Sequence, residues 1–191
     1  DVAPIAEICD LADRYGARVE YLKVGDNFNP EVGFLQRDNF KRSFASLRFS
    51  PRPKDFLGVR KFTWQGDLEH IESGAGALET RVHVGKFTTE FNTSDTINIE
   101  ATRDYEMITQ PFQVATGVSV APGGYSFDDL QVSYTFGAQR RLAGTFGAQV
   151  GEFWNGTIRS LSFTGGRVAV LKQFSVEPTI QRSSVELPAG N

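Results

Sequence analysis

Catalysis and metal binding need titratable or nucleophilic side chains in convergent sets, and this 191-residue chain supplies few. His70 and His83 are its only histidines. If the stretch SGAGA is a turn centred on Gly76 and Ala77, paired residues on the flanking strands place the two imidazoles face to face. Catalytic zinc takes three protein ligands and structural zinc four, and no third ligand accompanies the pair, so the expectation is an interfacial histidine pair without a metal. Asp26, Glu31 and Asp38, with Asn27, Asn29 and Asn39, offer the oxygen ligands calcium prefers. Their spacing is not that of an EF-hand, and Phe28 and Phe34 interrupt it, which favours a solvated loop packed by its own aromatics.

The other chemical motifs fail on pattern. TGGR (164–167) and PGGY (122–125) lack the spacing and following helix of a phosphate cradle, and no GxSxG elbow occurs. Glu72 with Glu79, and Asp128 with Asp129, have no reason to flank a glycosidic bond. Cys9 is the single cysteine, so it forms no disulfide within the chain and suits a buried helix position. The expectation is therefore no catalytic residue, no cofactor and no metal. A net charge of −3 and a pI near 5.5 lack the basic field that nucleic-acid binding requires.

The elements that would position any site switch period early. Ile5, Ile8, Leu11, Ala12 and Tyr15 fall at helical spacing in DVAPIAEICDLADRYGA, with Pro4 suited to a first turn and Gly16 to a stop. Residues 1–17 are therefore expected to form a short amphipathic helix, and 18–191 a second unit. From Arg18 the period is two. Leu130, Val132, Tyr134, Phe136 and Ala138 alternate with Gln131, Ser133, Thr135, Gly137 and Gln139, and Leu142–Val150 repeats the pattern with Phe146 at its centre. Nineteen glycines and sixteen phenylalanines fit β structure with many turns.

Two alternating faces, one apolar and one small and polar rather than charged, match strands with lipid on one side and a hydrated lumen on the other. The lipid-facing set is Phe62, Trp64, Phe87, Phe91, Ile97, Ile99, Leu130, Val132, Tyr134, Phe136 and Phe146; the lumen-facing set is Gln65, Asp67, Lys86, Thr88, Gln131, Ser133 and Thr135. The hairpin register above sets Asp67 beside Lys86, Trp64 opposite Thr89 and Phe62 opposite Phe91. About nine strands result, near 18–24, 40–49, 58–71, 79–91, 97–105, 127–138, 142–150, 157–170 and 174–182. Their connections alternate between long or aromatic (25–39, 72–78, 106–126, 151–156) and shorter (PRPKDFLG, NTSDT, QRR, LKQ), as at the two rims of an outer-membrane barrel.

No run of eighteen apolar residues occurs, so a transmembrane helix is excluded while a barrel is not. A chain exported without its own charged and apolar leader would carry that signal upstream. Trp64, Trp154, Phe153, Tyr105, Phe112, Tyr125 and Phe127 lie near expected strand ends, where they would anchor in the lipid interfaces. Phe153, Trp154 and Tyr125 double as candidates for stacking a saccharide.

VGDNFNPEVGFLQRDNF, LEHIESGAGALETRVHVGKFTTEFNTSDTINIEATRDYEMITQPFQV, GVSVAPGGYSFDDLQVSYTFGAQRRLAGTFGAQVGEFWNGTIRSLSF and SVEPTIQRSSVELPAGN together resemble one bacterial family over residues 19–191. Its members join a carbohydrate-binding module of the family-nine type to a large outer-membrane barrel of uncharacterised activity. The resemblance implies the bacterial outer membrane as location, membrane lipid and glycans as partners, and a barrel of which nine strands form an unclosed portion. Residues 1–17 separately resemble a short stretch of aminolevulinate synthase, a pyridoxal-phosphate enzyme; its cofactor-holding Asp-Glu and His-Ala-Val-Gly runs are replaced here by RVEYLKVGDNF. The expected fold is all-β, an antiparallel up-and-down barrel portion preceded by one helix of different origin. Its rivals are a soluble barrel or sandwich that binds a ligand, and a synthase remnant fused to a barrel.

Overall fold

The computed structural model describes residues 13–26, 38–115, 118–153, 156–171 and 174–186. It contains β1 (Tyr15–Val24), β2 (Phe40–Phe49), β3 (Val59–Ser73), β4 (Leu78–Phe91), β5 (Thr96–Ile108), β6 (Phe112–Ala115), β7 (Val118–Val120), β8 (Gly123–Phe136), β9 (Leu142–Phe153), β10 (Gly156–Leu171), β11 (Phe174–Val176) and β12 (Ile180–Glu186). Ten of these form one antiparallel sheet in the order β1-β2-β3-β4-β5-β8-β9-β10-β11, with β12 also on β10, while β6 and β7 make a separate hairpin. The sheet is an up-and-down meander without a helix among the described residues. It is open: β1 and the β11/β12 side are edges with no mutual pairing.

The strands form because the period of two persists over ten to sixteen residues in the longest of them. The expected ninth strand occurs in two pieces along one edge of β10. Val168 pairs with Val176 and Phe163 with Ile180, and between these pairs β10 bulges at Thr164–Arg167. Gly165 takes φ 59° there, and the facing segment carries Pro178, which has no N–H to give to a ladder.

The expected end of the N-terminal helix needs correction. Tyr15, Gly16 and Ala17 are not helical: they open β1 opposite Phe49, Arg48 and Leu47. The Tyr15 ring stacks on Phe49 at 5.2 Å and the Arg14 guanidinium lies 5.7 Å from the Phe49 ring centre, contacts that helical spacing could not anticipate. Residues 1–12, and with them Cys9 and the rest of the expected helix, lie outside the described residues. So do 27–37, and with them Asn27, Asn29 and Glu31 of the expected oxygen cluster.

The connections alternate less cleanly than expected. One rim carries the connections 25–39 and 109–122 but also the short ones 74–77 and 154–155, whereas the other carries 50–58, 92–95 and 137–141. β5 and β8 run further into the expected 106–126 loop, and β6 and β7 occupy part of the remainder.

Candidate functional site

The sheet itself is the candidate site, because its ladders sort the side chains into opposed rows. Following partners from β1 to β10, one row reads Tyr15, Phe49, Trp64, Phe87, Ile99, Val132, Ala148, Leu161. Neighbouring rows on the same face include Leu47, Gly66, Gly85, Ala101, Leu130 and Val150 on one side, and Phe62, Ile97, Tyr134, Phe146 and Phe163 on the other. Rings meet across the strands: Trp64 to Phe87 at 5.1 Å, Phe136 to Phe146 at 5.9 Å and Phe146 to Phe163 at 4.4 Å. Offset and edge contacts of this kind add to the apolar area.

The interleaved row on the opposite face is polar throughout: Arg48, Gln65, Lys86, Glu100, Gln131, Gln149, Ser160, Ser183. Side chains on this face bond both along and across strands. Lys86 pairs with Glu100 at 3.2 Å, Gln65 and Ser46 donate to Asp67 at 2.9 and 2.5 Å, and Thr88 donates to Asn98 at 2.8 Å. Gln131 and Gln149 both donate to Asp129, at 3.0 and 2.8 Å, and Arg42 joins Glu20 to Glu69. All the residues assigned to lipid from sequence, Phe62, Trp64, Phe87, Phe91, Leu130, Val132, Tyr134, Phe136 and Phe146 among them, share the apolar face by strand alternation; those assigned to the lumen share the polar one.

Accessibility runs opposite to that of a water-soluble sheet. Leu47 is 67 % exposed, Leu161 66 % and Val150 51 %, whereas the polar-face partners Gln65, Asp67, Lys86 and Gln149 are half-buried. Among the described residues the buried hydrophobic side chains are only Val24, Phe40, Val59, Val120 and Phe163. A soluble sheet would cover its apolar face with a second layer; here none lies over it among the described residues.

The hairpin register is corrected by two positions. Trp64 faces Phe87, Phe62 faces Thr89 and Gln65 faces Lys86, so Asp67 lies opposite Val84 and shares the Lys86 face without pairing with it. The cause is the turn. Ser73 closes on Ala77 through N–H to O at 2.8 Å, Gly76 sits at φ 86°, and the ladder then shifts between Ile71 and Glu72. This is a three-residue connection with one left-handed glycine rather than a two-residue turn at Gly76 and Ala77. The histidines consequently separate: His70 faces Arg81 and bonds Glu72 at 3.0 Å, while His83 faces Leu68. Among the described residues no group of three or more His, Cys, Asp or Glu side chains is placed to hold a metal.

The expected aromatic girdle is also redrawn. Trp64 and Tyr105 lie inside β3 and β5, not at their ends, and Phe127 is on the polar face opposite Asp104. Tyr125, also on that face, donates its hydroxyl to Ala121 O at 2.9 Å. Phe153 ends β9, and Trp154 lies outside the described residues. An open groove of about 760 Å³ does exist on the apolar face, where Ala17, Gly66, Gly85 and Ala101 sit low between bulkier rows. Its lining is almost wholly apolar, which suits hydrocarbon and not a sugar.

Sequence reasoning missed one polar assembly at the 92–95 and 137–141 rim. Asp95, 3 % exposed, accepts from Gly137 N and Arg140 Nε, both at 2.8 Å, and from Thr93 at 2.9 Å; Arg140 Nη2 closes a second arm. The Arg140 guanidinium and the Gly137 N–H hold the Asp95 carboxyl well below the usual carboxylate range. Asp95 begins the approach to β5 and Arg140 follows β8, whose connection at the far rim is long, so this clasp closes the pair at its open end. Arg52 and Asp13, 2.8 Å apart, do the same for β1 and β2.

Comparison of the chain with protein-family models, with curated proteins and with solved structures finds no match in any of the three.

Proposed function

We propose that this chain is a membrane-embedded portion of an outer-membrane β-barrel and takes no direct part in catalysis. One observation carries the proposal: the apolar face of a continuous antiparallel meander is its accessible face, while the polar face is the one tied by cross-strand hydrogen bonds and ion pairs. In water that arrangement leaves the hydrophobic effect unused; in a bilayer it puts apolar rows against acyl chains and polar rows toward a lumen. On this reading the open edges are sites of further strand pairing within the closed barrel, since an unpaired edge in hydrocarbon is too costly to persist.

The likeness to the barrel family that carries a carbohydrate-binding module supports a role in binding or taking up glycans at the cell envelope. That role belongs to the parent protein, with outer-membrane lipid as the immediate partner of this segment. The test is expression behind a signal peptide, followed by membrane fractionation and gel mobility in detergent with and without heating. A heat-modifiable band in the outer-membrane fraction is expected; a soluble, detergent-free monomer overturns the proposal in favour of a ligand-binding sheet whose apolar groove is its pocket.

A further inference from the structure

The β2–β3 turn, residues 50–58, combines features that stability alone does not explain. Leu57 sits at φ 47°, a left-handed backbone that costs a bulky residue energy, yet its side chain is 82 % exposed and secures no packing in return. Asp55 is also left-handed, at φ 51°, and Phe56 is half exposed. The turn is nevertheless well held: Val59 N donates to Phe56 O at 2.8 Å, Phe62 N to Pro51 O at 3.0 Å and Asn92 N to Gly58 O at 2.8 Å. The Phe56 ring lies 6.1 Å from Phe62, which makes the turn tip continuous with the aromatic end of the apolar face.

Cations surround that tip. Arg52 and Lys54 are exposed on the turn, whose single acid is Asp55, and Arg14 rests over the neighbouring Tyr15 and Phe49 rings. Lys54 and Arg14 have no carboxylate partner among the described residues. An exposed apolar pair flanked by unpaired cations and backed by aromatic rings is the composition of a membrane interface, where apolar tips enter the acyl boundary and cations meet lipid phosphates.

We infer that this turn is an interfacial anchor that seats Leu57 and Phe56 in a leaflet of anionic phospholipid, with Lys54 and Arg14 on the headgroup phosphates. The inference rests on the barrel reading and adds to it which rim meets which surface. The strain at Leu57 holds the side chain outward for that contact.

The test uses the full chain with Trp154→Phe, which leaves Trp64 as its single tryptophan, titrated with phosphatidylcholine vesicles with and without phosphatidylglycerol. Trp64 quenching by brominated acyl chains reads insertion. Phosphatidylglycerol is expected to strengthen partitioning, and loss of each cation in Lys54→Gln and Arg14→Gln to weaken it about fivefold. Leu57→Asn separates anchoring from folding, because Asn tolerates the left-handed backbone better than Leu. It is expected to keep or raise the urea midpoint while weakening partitioning by about tenfold or more. Insertion that ignores phosphatidylglycerol and is unchanged by Leu57→Asn overturns the anchor and leaves the barrel standing. Preference for lipid A phosphates over phosphatidylglycerol overturns the choice of leaflet lipid. Absence of Trp64 quenching in every vesicle overturns the barrel reading, and the anchor with it.

Discussion

Val132 and Ser133 are adjacent in β8 and point to opposite faces, so arginine at each position compares the two surfaces at one depth. The apolar run on β8 extends from Leu130 to Phe136 on the exposed face. At about 3.4 Å per residue it covers roughly 20 Å of strand, or about 16 Å of bilayer depth at a tilt near 40°. Val132 lies within about 3 Å of its middle on the same geometry. Arginine facing lipid at mid-depth costs about 2–4 kcal/mol, a roughly 30- to 800-fold loss in the folded-to-unfolded ratio. In a water-soluble sheet the same substitution at this 40 % exposed position belongs to the surface class, within about 0.5 kcal/mol.

Ser133 faces Asn98 and Gly147 on the polar side, where an added guanidinium meets acceptors and space, so about 0.5 kcal/mol or less is expected. Reversible urea unfolding from lipid vesicles, followed by tryptophan fluorescence in both directions, measures both variants. Equal costs for Val132→Arg and Ser133→Arg, or a larger cost at Ser133, would refute the assignment of faces.

Two further outcomes test the local geometry. Because the folded carboxyl of Asp95 titrates below its unfolded value, the clasp stabilises fully above about pH 4 and that stability is lost as pH falls through the folded value. Asp95→Asn should flatten this acid-side fall in the urea midpoint, and an unchanged pH profile would show that the clasp bears no load. A Cβ at Gly166 would sit 2.3 Å from Pro178 O, so Gly166→Ala should cost about 1–3 kcal/mol, whereas Gly66→Ala meets nothing within 4 Å and should be neutral or gain about 0.5 kcal/mol; thermal melts of the two proteins decide.

Face assignment was legible in the sequence because it depends only on strand parity. A register displaced by two residues leaves every side chain on its face, which is why Asp67 and Lys86 were rightly placed together and wrongly paired. The displacement came from one left-handed glycine and one bulge, neither of which alters the alternation. Tyr15 misled for a different reason: its apolar ring fits helical spacing from Ile5 as well as it fits a strand, and the ring of Phe49 decides. The Asp95–Arg140 clasp joins two turns that are neighbours only because β5 pairs with β8 across a long connection, so no local pattern reveals it. TGGR has no phosphate-loop spacing, and its glycines serve the β10 bulge that splits the last edge strand. In sequence PRPKDFLG shows only a connection, because spacing carries no information about backbone strain at Leu57.

The small number of buried hydrophobic side chains among the described residues has a calorimetric consequence. Heat capacity of unfolding follows the apolar surface that becomes hydrated, and a sheet whose hydrophobic residues are already accessible has little left to hydrate. The chain alone in water should therefore unfold with a small heat-capacity increment and a shallow denaturant slope. The large negative increment that soluble proteins record on folding would be recorded here on transfer into lipid.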